Sequence, residues 1–291
     1  MAKKGMSRRD FMKGAAAGTL GVATMGVLGA CSQDSTTAEE MSWDRETGVL
    51  IVGGGGTGVA AAAQAALDGA EVLVLEKAGL AGGTTNYSGG VMQAAGTKAQ
   101  KDFTDYADDT PENHFQLWLK AGEGLVDEEL VKDLAYGAPG HIEWLTEQGL
   151  NFTSVYGHTD IPYVDDALFA DRIHVYEGGG GHGGGTPLVQ ALLNTATENG
   201  ATIEYNTEAT RLVVNKDGKV EGVVAVQDGA EVSIKATKGV ILAAAGIDNN
   251  AEMAKELAPQ QYWSITTGVP SCAETDTGDG IRMAMEIGAA V

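Results

Sequence analysis

VLIVGGGGTGVAAAAQAALDGAEVLVLEK, residues 49–77, reads as strand, turn, helix and strand in succession. Val49–Val52 is apolar at every position, the pattern of a parallel strand covered on both faces. Gly53-x-Gly55-x-x-Gly58 follows, then an alanine-rich helix to about Leu67 that Asp68-Gly69 closes. Glu71–Leu75 is the second strand, and Glu76 stands at its end, 23 residues after Gly53. Glycines there permit a tight turn and close approach of backbone to a pyrophosphate, and the helix start offers N–H groups and a positive dipole end. Glu76 can accept hydrogen bonds from a ribose diol and repels a 2′-phosphate, which disfavours NADP. The spacing predicts a dinucleotide site and leaves FAD and NAD open.

The next residues, AGLAGGTTNYSGGVMQAAG (78–96), spend small and hydroxyl side chains on a backbone-rich loop. A plain NAD-binding fold proceeds at this point to another crossover helix and strand. Gly82-Gly83-Thr84-Thr85 and Ser88-Gly89-Gly90 can instead lie along a bulky cofactor and donate N–H and O–H groups to it.

Composition narrows the partners. Of 291 residues 42 are glycine, without the period of a fibrous protein. The formal charge is −21; residues 1–30 carry a local +4, so the remainder carries −25. Such a surface repels nucleic acid and anionic headgroups and suits a small-molecule enzyme with a cationic redox partner. The two cysteines, Cys31 and Cys272, form no Cys-x-x-Cys pair or haem-attachment motif, and the five histidines show no i, i+4 pair. No metal site is expected from these spacings.

MAKKGMSRRDFMKGAAAGTLGVATMGVLGAC opens the chain with a basic start and seventeen uncharged residues, Gly14–Ala30, ahead of Cys31. The apolar run is shorter than the ~20 residues that span a bilayer. Ser7-Arg8-Arg9-Asp10-Phe11-Met12-Lys13 resembles the twin-arginine export motif. Leu28-Gly29-Ala30-Cys31 resembles a bacterial lipobox, which makes Cys31 the lipidated first residue; cleavage at an ordinary small-residue site with Cys31 incidental is the alternative. The domain reading is a signal over 1–30, a polar tether over 31–46 and a cofactor-binding domain over 47–291. Export would leave the protein periplasmic or on the outer face of the cytoplasmic membrane, anchored through Cys31. Because the twin-arginine route carries folded proteins, it favours a cofactor bound before export.

Downstream, Pro111–Leu150 is helical in pattern with Asp127 as an N-cap, and Trp118 and Trp144 read as core. EGGGGHGGGTPLVQALLNTATENG (177–200) is a glycine loop and a helix capped by Thr186 and closed by Gly200. His182 has no charged neighbour in that loop and reads as a solvated histidine. RLVVNKDGKVEGVVAVQDGAEVSIKA (211–236) is a three-stranded antiparallel meander with turns at Asp217-Gly218 and Asp228-Gly229, and GVILAAAG (239–246) returns to the parallel sheet. Asp248 is the expected cap of a helix ending before Pro259.

IVGGGGTG, VLEK, GGTTNYSGG, TEATRLV, KGVILAAAGIDNN and TGDGIRMAMEIGA follow one another in the order found in a known family. The chain resembles the FAD-dependent flavoproteins of the fumarate reductase and succinate dehydrogenase type, whose relatives reduce urocanate and similar enoates. The resemblance implies an α/β fold, a Rossmann-like parallel sheet for FAD with the meander inserted. It places Gly53, Gly55, Thr57 and Gly58 at the FAD pyrophosphate and Glu76 at the adenosine ribose. Gly83, Thr84, Thr85, Ser88, Gly89 and Gly90 would line the stretch from phosphate to flavin. Ala209 would meet the adenine through its backbone, Asp279 would sit near the phosphate or ribityl chain, and Gly246 would keep room for close approach. His182 stays a secondary candidate because the family's corresponding loop runs near the flavin. Ala244-Ala245-Gly246 replaces a frequent Thr-Gly-Gly, so a possible hydroxyl contact is lost.

The family's arginine acid and substrate clamp belong to a capping domain and final segment beyond the matched region, so the expectation is an N-terminal portion in which no catalytic residue can be named. The implied reaction is hydride transfer between flavin and the activated C=C of a small enoate, with electrons from a separate cytochrome or quinol-linked donor. A non-catalytic flavin- or nucleotide-binding remnant and an NAD-dependent enzyme are the competing readings.

Overall fold

The computed structural model describes residues 41–158, 160–268 and 271–291. The signal segment, the lipobox-like end with Cys31, and the tether as far as residue 40 lie outside the described residues. In chain order the elements begin β1 (Arg45–Val52), α1 (Gly56–Leu67), β2 (Val72–Leu75), β3 (Val91–Gln93), α2 (Lys98–Phe103), α3 (Pro111–Ala121), α4 (Glu128–Glu147), β4 (Phe152–Tyr156) and β5 (Ile173–Tyr176). They continue with α5 (Thr186–Glu198), β6 (Thr202–Glu204), β7 (Thr207–Val214), β8 (Val220–Gln227), β9 (Ala230–Leu242), α6 (Ala251–Leu257), α7 (Pro259–Thr267) and α8 (Asp279–Glu286).

The main sheet has the order β6-β2-β1-β9-β8-β7. β6, β2, β1 and the second half of β9 run parallel, while β7, β8 and the first half of β9 form the antiparallel meander. Period-two alternation sorts the side chains between two layers. Ile51, Val72 and Val74 pack on one face with Val59, Ala62, Ala63 and Ala66 of α1 and Leu192 and Ala196 of α5. Leu50, Val52, Leu73 and Leu75 face the other way, against Ala209, Leu212, Val223, Ala225 and Ile234 of the meander. The meander was legible, including its two-residue turn at Asp228 and Gly229, both at positive φ (51° and 81°). Its third strand and the returning sheet strand are, however, one continuous β9. Between Ala236 and Gly239 the register against β1 slips by one residue, a bulge just past the part of β9 that pairs with β8.

Three boundaries differ from expectation. β1 starts at Arg45, inside the supposed tether, because Arg45 pairs with Glu204 (2.6 and 2.5 Å) and Asp44 accepts from the Ser233 backbone N–H (2.8 Å) and hydroxyl (2.7 Å). Thr186 is the first residue of α5 rather than its cap, a position taken by Gly185. Asn250, not Asp248, caps α6, accepting from Met253 N–H (3.0 Å), and Pro259 opens a further helix, α7. The Asp127 cap of α4 stands as read, accepting from Glu129 and Leu130.

A second, three-stranded antiparallel sheet, β3-β5-β4, was not anticipated. It rests on a buried polar network. Arg172, 2% exposed, binds Asp109 in two parallel contacts of 2.8 Å, and Gln100 bridges Asp109 (2.8 Å) to the Asp171 carbonyl (2.9 Å). His174 donates from Nδ1 to the Arg172 carbonyl (2.7 Å), which leaves Nε2 to accept from Thr97 Oγ1 (2.6 Å). His114 is fully buried beside Trp118, and among the described residues neither ring nitrogen has a partner. Burial, joined by the Arg172 charge, pushes its pKa down to about 4. In the unfolded chain the same imidazole protonates near its ordinary value of about 6.5, so the unfolded state binds more protons between those pH values. Stability should therefore fall as the pH drops through that window, by about 3 kcal/mol at its lower end. Urea midpoints at pH 7 and pH 4 check this: His114→Leu should lose that much less than the parent over the same interval.

Candidate functional site

A cleft of about 410 Å³ opens at the C-terminal ends of β1, β2 and β9. β1 pairs with β2 on one side and with β9 on the other, and such a reversal in strand order leaves a crevice at the carboxyl ends. The volume falls within the range of small-molecule sites, ~300–1,000 Å³.

The floor is the turn from β1 into α1. Gly53, at φ 99°, donates its N–H to the Leu75 carbonyl (2.8 Å), which ties the turn to the end of β2. Gly55, the N-cap, has no side chain to offer α1; the Gly56 N–H goes to Thr85 Oγ1 (3.1 Å), and Gly55, Gly56 and Thr57 all line the cleft. Gly55 shows what the space is shaped for. A Cβ on it would meet only the Gly82 carbonyl, at 3.9 Å, and would otherwise project into the cleft. An uncapped helix start faced with bare backbone fits a pyrophosphate.

Glu76, 6% exposed, sits at the end of β2 with its carboxylate held on both sides: Oε2 accepts from Gly54 N–H and Oε1 from Ala78 N–H, each at 2.7 Å. Each oxygen keeps a lone pair for a diol. Glu208 and Ala209 enter from β7, the last strand of the sheet, whose outer backbone edge pairs with no strand among the described residues. β7 is fixed to this end of the cleft by Thr207 N–H donating to the Glu76 carbonyl (2.9 Å). Gly83, Thr84 and Thr85 line the opposite wall with Asp279.

Several expected residues serve the site indirectly. Gly58 is not among the lining residues: a Cβ there would stand 1.8 Å from the Gly53 carbonyl oxygen, so its task is close packing of α1 on the turn. Ser88, Gly89 and Gly90 also stand off the cleft lining and pack backbone to backbone on the second glycine run, with Gly180 N–H donating to the Gly89 carbonyl (2.8 Å). His182, in that run, is exposed and meets Tyr87 edge-on. Gly246 lies beyond the lining too, beside Asp248 and Asp276.

Other lining residues escaped the sequence reading. Lys77 donates to Asp279 (2.5 Å) and Thr277 (2.6 Å), joining the end of β2 to the start of α8 across 202 residues of chain. Burial tends to raise the Asp279 carboxyl, but the hydrogen bonds from Lys77 and Thr277 outweigh it and hold the pKa below the ordinary carboxylate value. Ala243–Ala245 leave β9 along the cleft, with Ala245 at φ 58°, a left-handed conformation uncommon outside glycine. Lys77 directly follows Glu76 and was the one of these within reach of the motif.

Among the described residues no helix is long and apolar enough to cross a membrane. Residues 5–25 match the twin-arginine translocation pathway signal, which directs export across the cytoplasmic membrane. The chain is 32% identical to the digoxin reductase of Eggerthella lenta over 99% of its own length and 55% of that protein's. It is 30% identical to the fumarate reductase (cytochrome) of Shewanella frigidimarina over 84% of its own length and 40% of that protein's. It thus spans about half the length of these relatives or less. Among solved structures, a 3-ketosteroid-Δ4-(5α)-dehydrogenase from Rhodococcus jostii RHA1 superposes with a TM-score of 0.76 and 33% identity, covering 88% of this chain and 56% of that one. The model of the FAD binding domain matches residues 48–291, from the middle of β1 through α8. The turn, the acid at the end of β2 and the meander are therefore parts of one inherited design: the chain belongs to the FAD-binding-domain family of flavoprotein oxidoreductases, and FAD is its cofactor.

Proposed function

We propose that the protein is an exported FAD-dependent reductase that acts on the activated C=C bond of a small molecule such as an enoate. The observation that carries this reading is the uncapped start of α1 at the head of a cleft that Glu76 and β7 close at one end, in a chain related to proteins named as reductases. FAD, when bound, supplies the two-electron hydride chemistry that alkene reduction requires. The chain's own residues bind and orient. Gly55 and Thr57 at the start of α1 hold the pyrophosphate, Glu76 takes the adenosine ribose, and the free edge of β7 at Ala209 takes the adenine. Thr84, Thr85 and Asp279 hold the stretch toward the flavin, with Lys77 fixing the Asp279 carboxylate. Residues 1–291 contain no haem-attachment motif, and the electrons are assigned to a separate cytochrome or quinol-linked donor. Lipidation at Cys31 would keep the protein at the outer face of the membrane.

A visible absorption spectrum of the purified protein, with chromatography of the released cofactor, tests the first half of this reading. A flavin spectrum with FAD released supports it, and NAD or no cofactor overturns it. Oxidation of a reduced dye by a panel of α,β-unsaturated acids and ketones tests the second half. Turnover on saturated analogues alone, or on none of the panel by the full-length protein, removes the alkene assignment.

A further inference from the structure

α4 carries two stripes that a partner could cover, and the described residues cover one. Val131, Ala135, Ile142 and Leu145 are turned inward, Val131 and Ala135 against Phe115 of α3. One residue before Val131 and Ala135, Leu130 and Leu134 stand 63% and 56% exposed. Gly137 and His141 continue their line, and a Cβ on Gly137 would meet the His141 ring at 3.3 Å, so the ring fills the place that the glycine leaves. Steps of four, three and four residues form the seam that one helix offers to another, here about 17 Å long. Leu125, in the turn ahead of α4, is 93% exposed.

Charge decides what can lie on this seam. Residues 122–147 carry seven carboxylates, all exposed, against a single lysine, Lys132. No ion pair among the described residues includes any of the seven. Glu129 and Asp133 each precede one of the two leucines and so flank the seam, the place from which charges select the partner of a helix pair. A second copy docked through the same seam would set one acidic helix against another, and an anionic lipid surface is repelled for the same reason. A basic helix buries the leucines and brings the missing counter-charges together.

We propose that the Leu130–Leu134–His141 face of α4 is a docking surface for a basic amphipathic helix of a separate protein. The leucines supply the apolar centre and the carboxylates the rim, which speeds encounter and sets register. One helix face buries little area, so the contact is of the transient kind, with an affinity of about micromolar. The inference does not depend on which cofactor fills the cleft.

The test uses the full-length protein and a synthetic helical peptide with leucine at heptad seam positions and lysine elsewhere. Hydroxyl-radical footprinting should oxidise Leu125, Leu130 and Leu134 in the free protein and show them protected several-fold by the peptide. Leu130→Gln combined with Leu134→Gln should weaken peptide binding about tenfold or more at an unchanged melting temperature, because both side chains are exposed. Raising the salt from 50 to 500 mM should weaken binding by the parent about tenfold. Equal binding by the parent and the double variant overturns the proposal, as does protection confined to other residues. Leucines that resist oxidation in the free protein overturn it too, and assign the face to a segment of the same polypeptide. Vesicles of phosphatidylglycerol and phosphatidylcholine that bind the parent but not the variant would replace the helix by a membrane. Self-association of the parent, lost in the variant, would replace it by a second copy.

Discussion

Gly58→Ala is expected to strip the flavin from the protein and to lower its stability by about 3 kcal/mol. The added methyl would lie 1.8 Å from the Gly53 carbonyl oxygen and 3.0 Å from its carbon. Gly53 cannot give way, because its N–H is bonded to Leu75 and its own Cβ position is 2.4 Å from the Ala243 carbonyl. Relief would require α1 to lift from Ile51, Val72 and Val74, in the buried core. Gly55→Ala provides the contrast. Its backbone, at φ −71° and ψ −178°, suits any residue, and the methyl would meet only the Gly82 carbonyl at 3.9 Å. That variant should unfold within about 0.5 kcal/mol of the parent yet bind FAD about tenfold more weakly or worse, since the methyl occupies the approach to the helix N–H groups. Urea midpoints and flavin-to-protein ratios on both variants separate the two roles. Equal flavin affinity in Gly55→Ala and the parent would remove the pyrophosphate from this turn.

The second large effect lies away from the cofactor. Asp109→Asn should cost about 3–5 kcal/mol, because Arg172 would keep its charge at 2% exposure with no counter-ion. Asp109→Leu combined with Arg172→Met should recover most of that loss, since both desolvated charges then disappear together. A double change no better than the single one would show that Gln100, His174 and Thr97 depend on the pair for more than charge balance. The pH dependence has a definite sign. Burial works to raise Asp109, but hydrogen bonds from Arg172 and Gln100 and the Arg172 charge hold its pKa below the ordinary value. With the folded pKa depressed, the contribution is fully present above the unfolded carboxylate value of about 3.9 and is lost as pH falls through the folded one. This window lies below the one in which His114 acts, so a pH series resolves the two.

The parts of the fold that announce themselves in sequence are those with local physics. Gly53, Gly55 and Gly58 between a strand and a helix, an acid 23 residues on, and Asp-Gly turns between β-runs each carry their reason within a few residues. What stayed hidden is non-local. β3 has three residues, and its partner β5 starts 80 positions later, too little and too far for periodicity to register. Lys77 meets Asp279, and Thr84 meets Asp276, only after the whole sheet has closed. Asp248 looked like a helix cap because caps are short polar residues before a helical run; Asn250, two residues later, met the same description and won the helix. Gly58 was read as part of the motif; that it also packs α1 on the turn needs the position of the Gly53 carbonyl. Ser88–Gly90 likewise owe their small side chains to a second glycine loop rather than to the cleft.

β9 belongs to both layers, and this makes it the gauge of the site. Through β8 its first half carries β7, and so Ala209, to the cleft; its last residue leads directly into Ala243–Ala245, which line the cleft as well. The bulge at residues 236–239 falls between those halves. Two parts of the cleft lining therefore hang from a single strand, which ties their spacing to the sheet. A change in how β9 passes from one partner to the other is thus felt at both sets of lining residues together.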